Sequence, residues 1–141
     1  MKYLDLELAF DFVSAGAPFE HQAYLSKSSG KTFWYSDLAD VDDLPEDLDD
    51  NDDYIEIPHK NDLDLGQRLV WRFIGEAAPE KYDEVRRIFS RRGAYRRYRS
   101  FLEREGLLDR WYRFEESRTR KALLVWCADN GIEIEDPPEV G

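Results

Sequence analysis

The chain has 141 residues, a formal net charge of −11 and one cysteine, a size that suits a single domain with a real core and no disulfide staple. No apolar run approaches the roughly 18 residues that cross a bilayer, and the excess negative charge is repelled by anionic lipid, so no membrane role is expected. The same balance argues against a bulk nucleic-acid binder, which is ordinarily basic overall.

In chain order, Leu4, Leu6, Leu8, Ala9, Phe12 and Val13 recur at helical spacing and predict a helix over residues 3–14, closed by Ser14-Ala15-Gly16-Ala17-Pro18. Gln22–Ser26 and Thr32–Ser36 are β-favouring runs around Ser28-Ser29-Gly30-Lys31, whose glycine supplies the positive φ of a tight hairpin. From Asp37 to Asp64 there are 13 acidic residues and one lysine, and the densest part predicts a mobile connection or a solvated turn. Tyr54-Ile55-Glu56-Ile57-Pro58 alternates and predicts a third short strand ended by its proline.

After Pro58 the period is helical. Four helices are expected: residues 65–78, a second opened by Pro79 and marked by Tyr82, Val85 and Phe89, a third over about 93–106, and a fourth from about Leu107 to Asn130. Ile132 and Ile134 alternate with glutamates, which leaves an edge strand or a frayed tail open. The expected architecture is α+β in one domain: residues 1–58 hold a helix and a small antiparallel sheet with an acidic loop, and 59–141 form the helical part, packed on one sheet face. The lone Cys127 and the lack of a charged-then-apolar leader suit a reducing compartment, so a cytoplasmic location is expected.

Several short stretches stand out together: Tyr24-Leu25 with Ser29-Gly30-Lys31, Tyr54-Ile55-x-Ile57-Pro58 with Arg68 and Phe73, Gly93-Ala94-Tyr95-Arg96-Arg97-Tyr98, Trp111-Tyr112-x-Phe114, and Trp126-Cys127-x-x-Asn130-Gly131. In this order and spacing they resemble the bacterial uncharacterised protein family UPF0158. The chain departs from that pattern with Ser29 where a threonine is usual, and with Tyr95 and Tyr98 where phenylalanines are. The resemblance implies a bacterial cytoplasmic protein and supplies no activity, cofactor or catalytic residue.

Charge is polarised along the chain: residues 86–121 hold 13 Arg and Lys against 5 Asp and Glu, a net +8, while the remainder carries −19. Arg92, Arg96, Arg97 and Arg99 interleave with Tyr95 and Tyr98, and the first expectation is that these guanidinium groups are engaged structurally or by the chain's own acidic half, ahead of a protein partner and then of a phosphate ligand or nucleic acid. Helical spacing puts both tyrosines on the side of Phe101 and Leu102, as core anchors, with the arginine heads in solvent.

On the last helix, Glu115 and Arg118 share the sector of Trp111 and Phe114, so a buried, hydrogen-bonded polar cluster is expected there. The acidic run lacks the order of a calcium loop, and no metal ligand set or cofactor motif stands out. His21 and His59, the only histidines, have no neighbouring serine or cysteine in sequence to suggest activation, and Cys127 sits among apolar residues as an inert thiol. The reading favoured is a noncatalytic protein-interaction or regulatory module. Nucleic-acid or phosphate binding through the arginines is the alternative, and a hydrolase built on His59 or the Asp-rich loop is a distant third.

Overall fold

Alternation produces strands where the sequence places them. In the computed structural model, which describes residues 1–38 and 40–139, β1 (Gln22–Ser26) and β2 (Thr32–Ser36) form an antiparallel hairpin with Gln22 opposite Tyr35 and Leu25 opposite Thr32. Gly30 turns it with φ +74°, a left-handed conformation in which a Cβ is strained, and its N–H donates to the Ser26 carbonyl at 2.8 Å.

The sheet has four strands rather than three. A two-residue strand β3 (Val41–Asp42) adds to the outer edge of β2, and β4 (Tyr54–Glu56) pairs with β1, giving the antiparallel order β3-β2-β1-β4. The acidic connection is correspondingly less free than its composition suggests. Asp53 accepts hydrogen bonds from the Ser26 hydroxyl (2.5 Å), the Ser28 hydroxyl (2.8 Å) and the Ser28 N–H (2.8 Å). Asp47 accepts from Asn51 and from the Tyr54 hydroxyl, each at 3.1 Å.

Helix α1 (Tyr3–Ser14) packs on β1 and β2 through Leu6, Ala9, Phe10 and Val13, while Leu4 and Leu8, read from the sequence as part of the stripe, are exposed. Ile132–Glu135 forms no strand. It returns to the start of α1, where the Glu135 N–H donates to the Met1 carbonyl (2.9 Å) and the Tyr3 N–H donates to the Asp136 carboxylate (2.9 Å), a favourable place for negative charge.

The chain divides into two compact units, residues 1–63 with 121–141 and residues 64–120. The second is helical: α2 (Gln67–Ala77), a 3-10 turn (Pro79–Lys81), α3 (Tyr82–Phe89), α4 (Ala94–Arg104) and the first part of α5 (Leu108–Asp129). Its core is Leu69, Val70, Phe73, Ile74, Val85, Tyr98, Phe101, Leu102 and Trp111, with Phe73 meeting Trp111 and Phe114 at ring separations of 5.4 Å each. The rest of α5 lies in the sheet unit, where Leu123 and Cys127 are buried and burial pushes the Cys127 thiol up to about 11.

Candidate functional site

Gly93 turns the α3–α4 corner with φ +71° and lets Ala94 start α4 directly behind the Arg91-Arg92 pair. Val85 of α3 and Tyr98, Phe101 and Leu102 of α4 are buried, so the residues between them are forced outward. Arg91, Arg92, Arg96, Arg97 and Arg99 are accordingly all exposed.

They are not equivalent. Arg99 pairs along its own helix with Glu103 at 3.3 Å, a solvent-screened contact worth little. Within the helical unit and among the described residues, no carboxylate lies within 4.0 Å of Arg91, Arg92, Arg96 or Arg97. Arg96 and Arg97 line one groove of about 490 Å³ between α3 and α4, with Ser100, Phe101, Ile88, Glu84 and Arg104. Three guanidinium groups there face one carboxylate, and that carboxylate, Glu84, is held by Arg104 at 2.6 Å.

Of the residues expected from the sequence, Arg96 and Arg97 thus come together, whereas Arg92 and Arg99 lie outside the groove. Arg104 was missed. It lies seven residues beyond Arg97, two turns along the same face, a signal the sequence contains; Glu84 and Ser100 require knowledge of how α3 packs on α4. The tyrosines also divide. Tyr98 is 2% exposed, but Tyr95 is 51% exposed, with its ring edge-on to Phe89 at 5.2 Å, so it is a rim residue and not the core anchor expected of it.

The buried cluster expected around Glu115 and Arg118 is not present in that form. Glu115 is exposed, because the apolar seam of α5 is centred on the Phe114 side of Trp111 and Glu115 falls past its other edge. Its charge still reaches the α4 tyrosines: burial first, and Glu115 second, raise the pKa of Tyr95 and of Tyr98. Arg118 is half-buried, its guanidinium 5.1 Å from the centre of the Phe114 ring, an arrangement that keeps the stem dry and the charge over the π face.

In the sheet unit, His59 is 5% exposed and both ring nitrogens are engaged: Nε2–H donates to the Gly16 carbonyl (2.8 Å) and Nδ1 accepts from the Asn61 N–H (3.0 Å). That fixes its tautomer and makes it a pin between two loops. His21 Nδ1 lies 2.6 Å from the Ser36 hydroxyl, but Ser36 is fully buried, out of reach of a substrate. Among the described residues no three His, Cys, Asp or Glu side chains converge to hold a metal ion, and no helix is long and apolar enough to cross a membrane.

No curated protein and no solved structure matches the chain. A family model does, over residues 4–136, and it covers the hairpin, the arginine-bearing helix and the Trp-Cys turn alike: the chain belongs to UPF0158, an uncharacterised protein family.

Proposed function

We propose that this protein is a noncatalytic interaction module whose helical unit docks an acidic segment of a partner protein on the face formed by Arg91, Arg92, Tyr95, Arg96 and Arg97. The observation that carries the reading is the contrast among the arginines: Arg99, Arg104 and Arg120 have carboxylate partners in their own unit, whereas among the described residues of that unit Arg91, Arg92, Arg96 and Arg97 have none within 4.0 Å. Exposed guanidinium groups on α4 and on the turn that precedes it, next to a half-exposed phenol ring, have the composition of an interface anchor. The remainder of the chain weighs against a long polyanion. Residues 64–120 carry 15 basic against 10 acidic residues, a net +5, but the sheet unit carries 5 against 21, a net −16, which favours a short acidic segment.

A second reading, a phosphate group of a nucleotide or nucleic acid seated among Arg96, Arg97, Arg104 and Ser100, is supported by the groove itself. Fluorescence anisotropy with a labelled peptide of alternating Glu and Tyr and with a labelled single-stranded RNA separates the two. The interface reading expects peptide binding that weakens about tenfold in Tyr95→Ala and more in Arg96→Glu/Arg97→Glu. Preferential RNA binding with a steep salt slope and indifference to Tyr95→Ala replaces it with the second. No binding of either probe removes both.

A further inference from the structure

A row of rings crosses the surface of the helical unit and ends at Tyr95 of the arginine face. Tyr82 and Phe89 lie on the same side of α3, two turns apart and about 10.5 Å along its axis. Trp71 of α2 fills the interval, its ring centre 5.3 Å from that of Tyr82 and 5.5 Å from that of Phe89, and Tyr95 carries the row onto α4 at 5.2 Å from Phe89. The fold does not bury them: Tyr82 is 39% and Tyr95 51% exposed, and Trp71 and Phe89 are only half-buried. Water satisfies an exposed charge but not an exposed ring, so a contiguous aromatic strip on ordered helices marks a packing surface. The track beside it is open as well. Gly75 follows Trp71 by one turn on α2, and a Cβ built there meets nothing within 4 Å.

Three observations choose the occupant. Successive rings are tilted to one another by 46°, 65° and 88°, so they present edges and gaps, not the continuous flat platform on which nucleic-acid bases stack. Their spacing is close to the helical pitch of about 5.4 Å, so a helix laid along the row brings one apolar side chain per turn to successive gaps, whereas an extended chain repeats at about 6.6 Å. Residues 67–97, which carry the row, hold 9 basic against 4 acidic residues, a net +5, and at the Tyr95 end no carboxylate lies within 4.0 Å of Arg91 or Arg92 among the described residues of their unit. A second copy of the chain, with its net charge of −11, is repelled as a whole by the first.

We propose that this row docks an amphipathic acidic helix of a partner protein, with its apolar side chains in the gaps between the rings and its carboxylates toward Arg91 and Arg92. The inference rests on the acidic-segment reading of the arginine face and adds to it the conformation and the apolar side of that segment.

The test uses the full-length protein and two labelled peptides of about 15 residues with one composition of Leu, Glu and Ala, followed by fluorescence anisotropy. In the first peptide the leucines recur at i, i+4 and i+7; in the second they are shuffled off any single face. The first should bind about tenfold more tightly, and Tyr82→Ala should remove that advantage while leaving the affinity of the shuffled peptide unchanged. The indole N–H resonance of Trp71, assigned by its loss in Trp71→Phe, should move saturably with the first peptide. Equal affinities for the two peptides, or a Tyr82→Ala variant with a native melting curve that binds the first as tightly as the unaltered protein, overturn the docked helix and leave the arginine reading standing. Binding of neither peptide removes both. Self-association in sedimentation velocity that Tyr82→Ala abolishes gives the row to a second copy and overturns the proposal as well.

Discussion

Between residues 64 and 120 the helices are held by rings, with Trp111 in contact with Phe73, Tyr98 and Phe114, whereas the sheet unit closes its loops with hydrogen bonds to Asp53, Asp47 and His59. The difference follows composition. A run of thirteen carboxylates between 37 and 64 supplies few apolar anchors, so its order comes from acceptors meeting serine, tyrosine and backbone N–H donors; the helical unit has aromatics at core positions and can leave its arginines in solvent. One unit therefore uses carboxylates such as Asp47 and Asp53 to hold its own loops, and the other leaves guanidinium groups exposed on its surface.

The largest effect expected from breaking this contrast is in the aromatic core. Phe73→Ala removes a 3%-exposed ring that meets two others and should cost about 3–5 kcal/mol by urea denaturation. A loss under about 1 kcal/mol would mean that the rings are not what holds these helices.

Next comes the acid response of the sheet unit. Hydrogen bonds from Ser26 and Ser28 hold the Asp53 carboxyl below its usual range, and those from Asn51 and Tyr54 do the same for Asp47. A carboxyl with a depressed folded pKa stabilises the native state above its unfolded pKa, and that contribution disappears as pH falls through the folded value. Melting temperature should accordingly decline below about pH 4. Asp53→Asn should be less stable at neutral pH and show a shallower acid decline; an unchanged acid profile contradicts the role given to these bonds.

The structure also separates what the sequence makes legible from what it hides. The bounds of α1, β1 and β2 follow from periodicity and a glycine turn, signals contained in each segment itself. β3 does not: Val41–Asp42 has no pattern of its own and pairs because the open edge of β2 at Tyr35 and Ser36 offers it hydrogen bonds. Arg96 and Arg97 are visible through charge alone, but the groove exists only because α3 brings Glu84 and Ile88 alongside. A cavity lined by His21, Glu56 and Asp62 joins segments about forty residues apart, and the misjudged placement of Glu115 shows that a helical wheel locates a seam only to within one residue's arc.

A smaller effect of opposite sign is expected at Tyr98, whose hydroxyl is buried with no hydrogen-bond partner among the described residues. Tyr98→Phe removes that orphan donor and leaves the ring contacts with Phe89 and Trp111 in place, so it should stabilise the helical unit by about 1 kcal/mol in urea denaturation. Destabilisation by that amount would show that the hydroxyl is satisfied after all.

The smallest effect sharpens the comparison at the border between core and charge. Glu115 is exposed, so Glu115→Gln should change stability by less than about 0.5 kcal/mol, as exposed substitutions do. Its charge nevertheless contributes to the raised pKa of Tyr95, after burial. A negative charge opposes formation of the phenolate, so removing it must lower the Tyr95 pKa, and ring resonances followed through an alkaline titration should show the midpoint moving down while the melting curve stays put. A variant that unfolds like a core truncation would instead return Glu115 to the interior. A Tyr95 midpoint that does not move would place Glu115 too far from α4 to influence the arginine face, and that face would then owe its field to its own guanidinium groups alone.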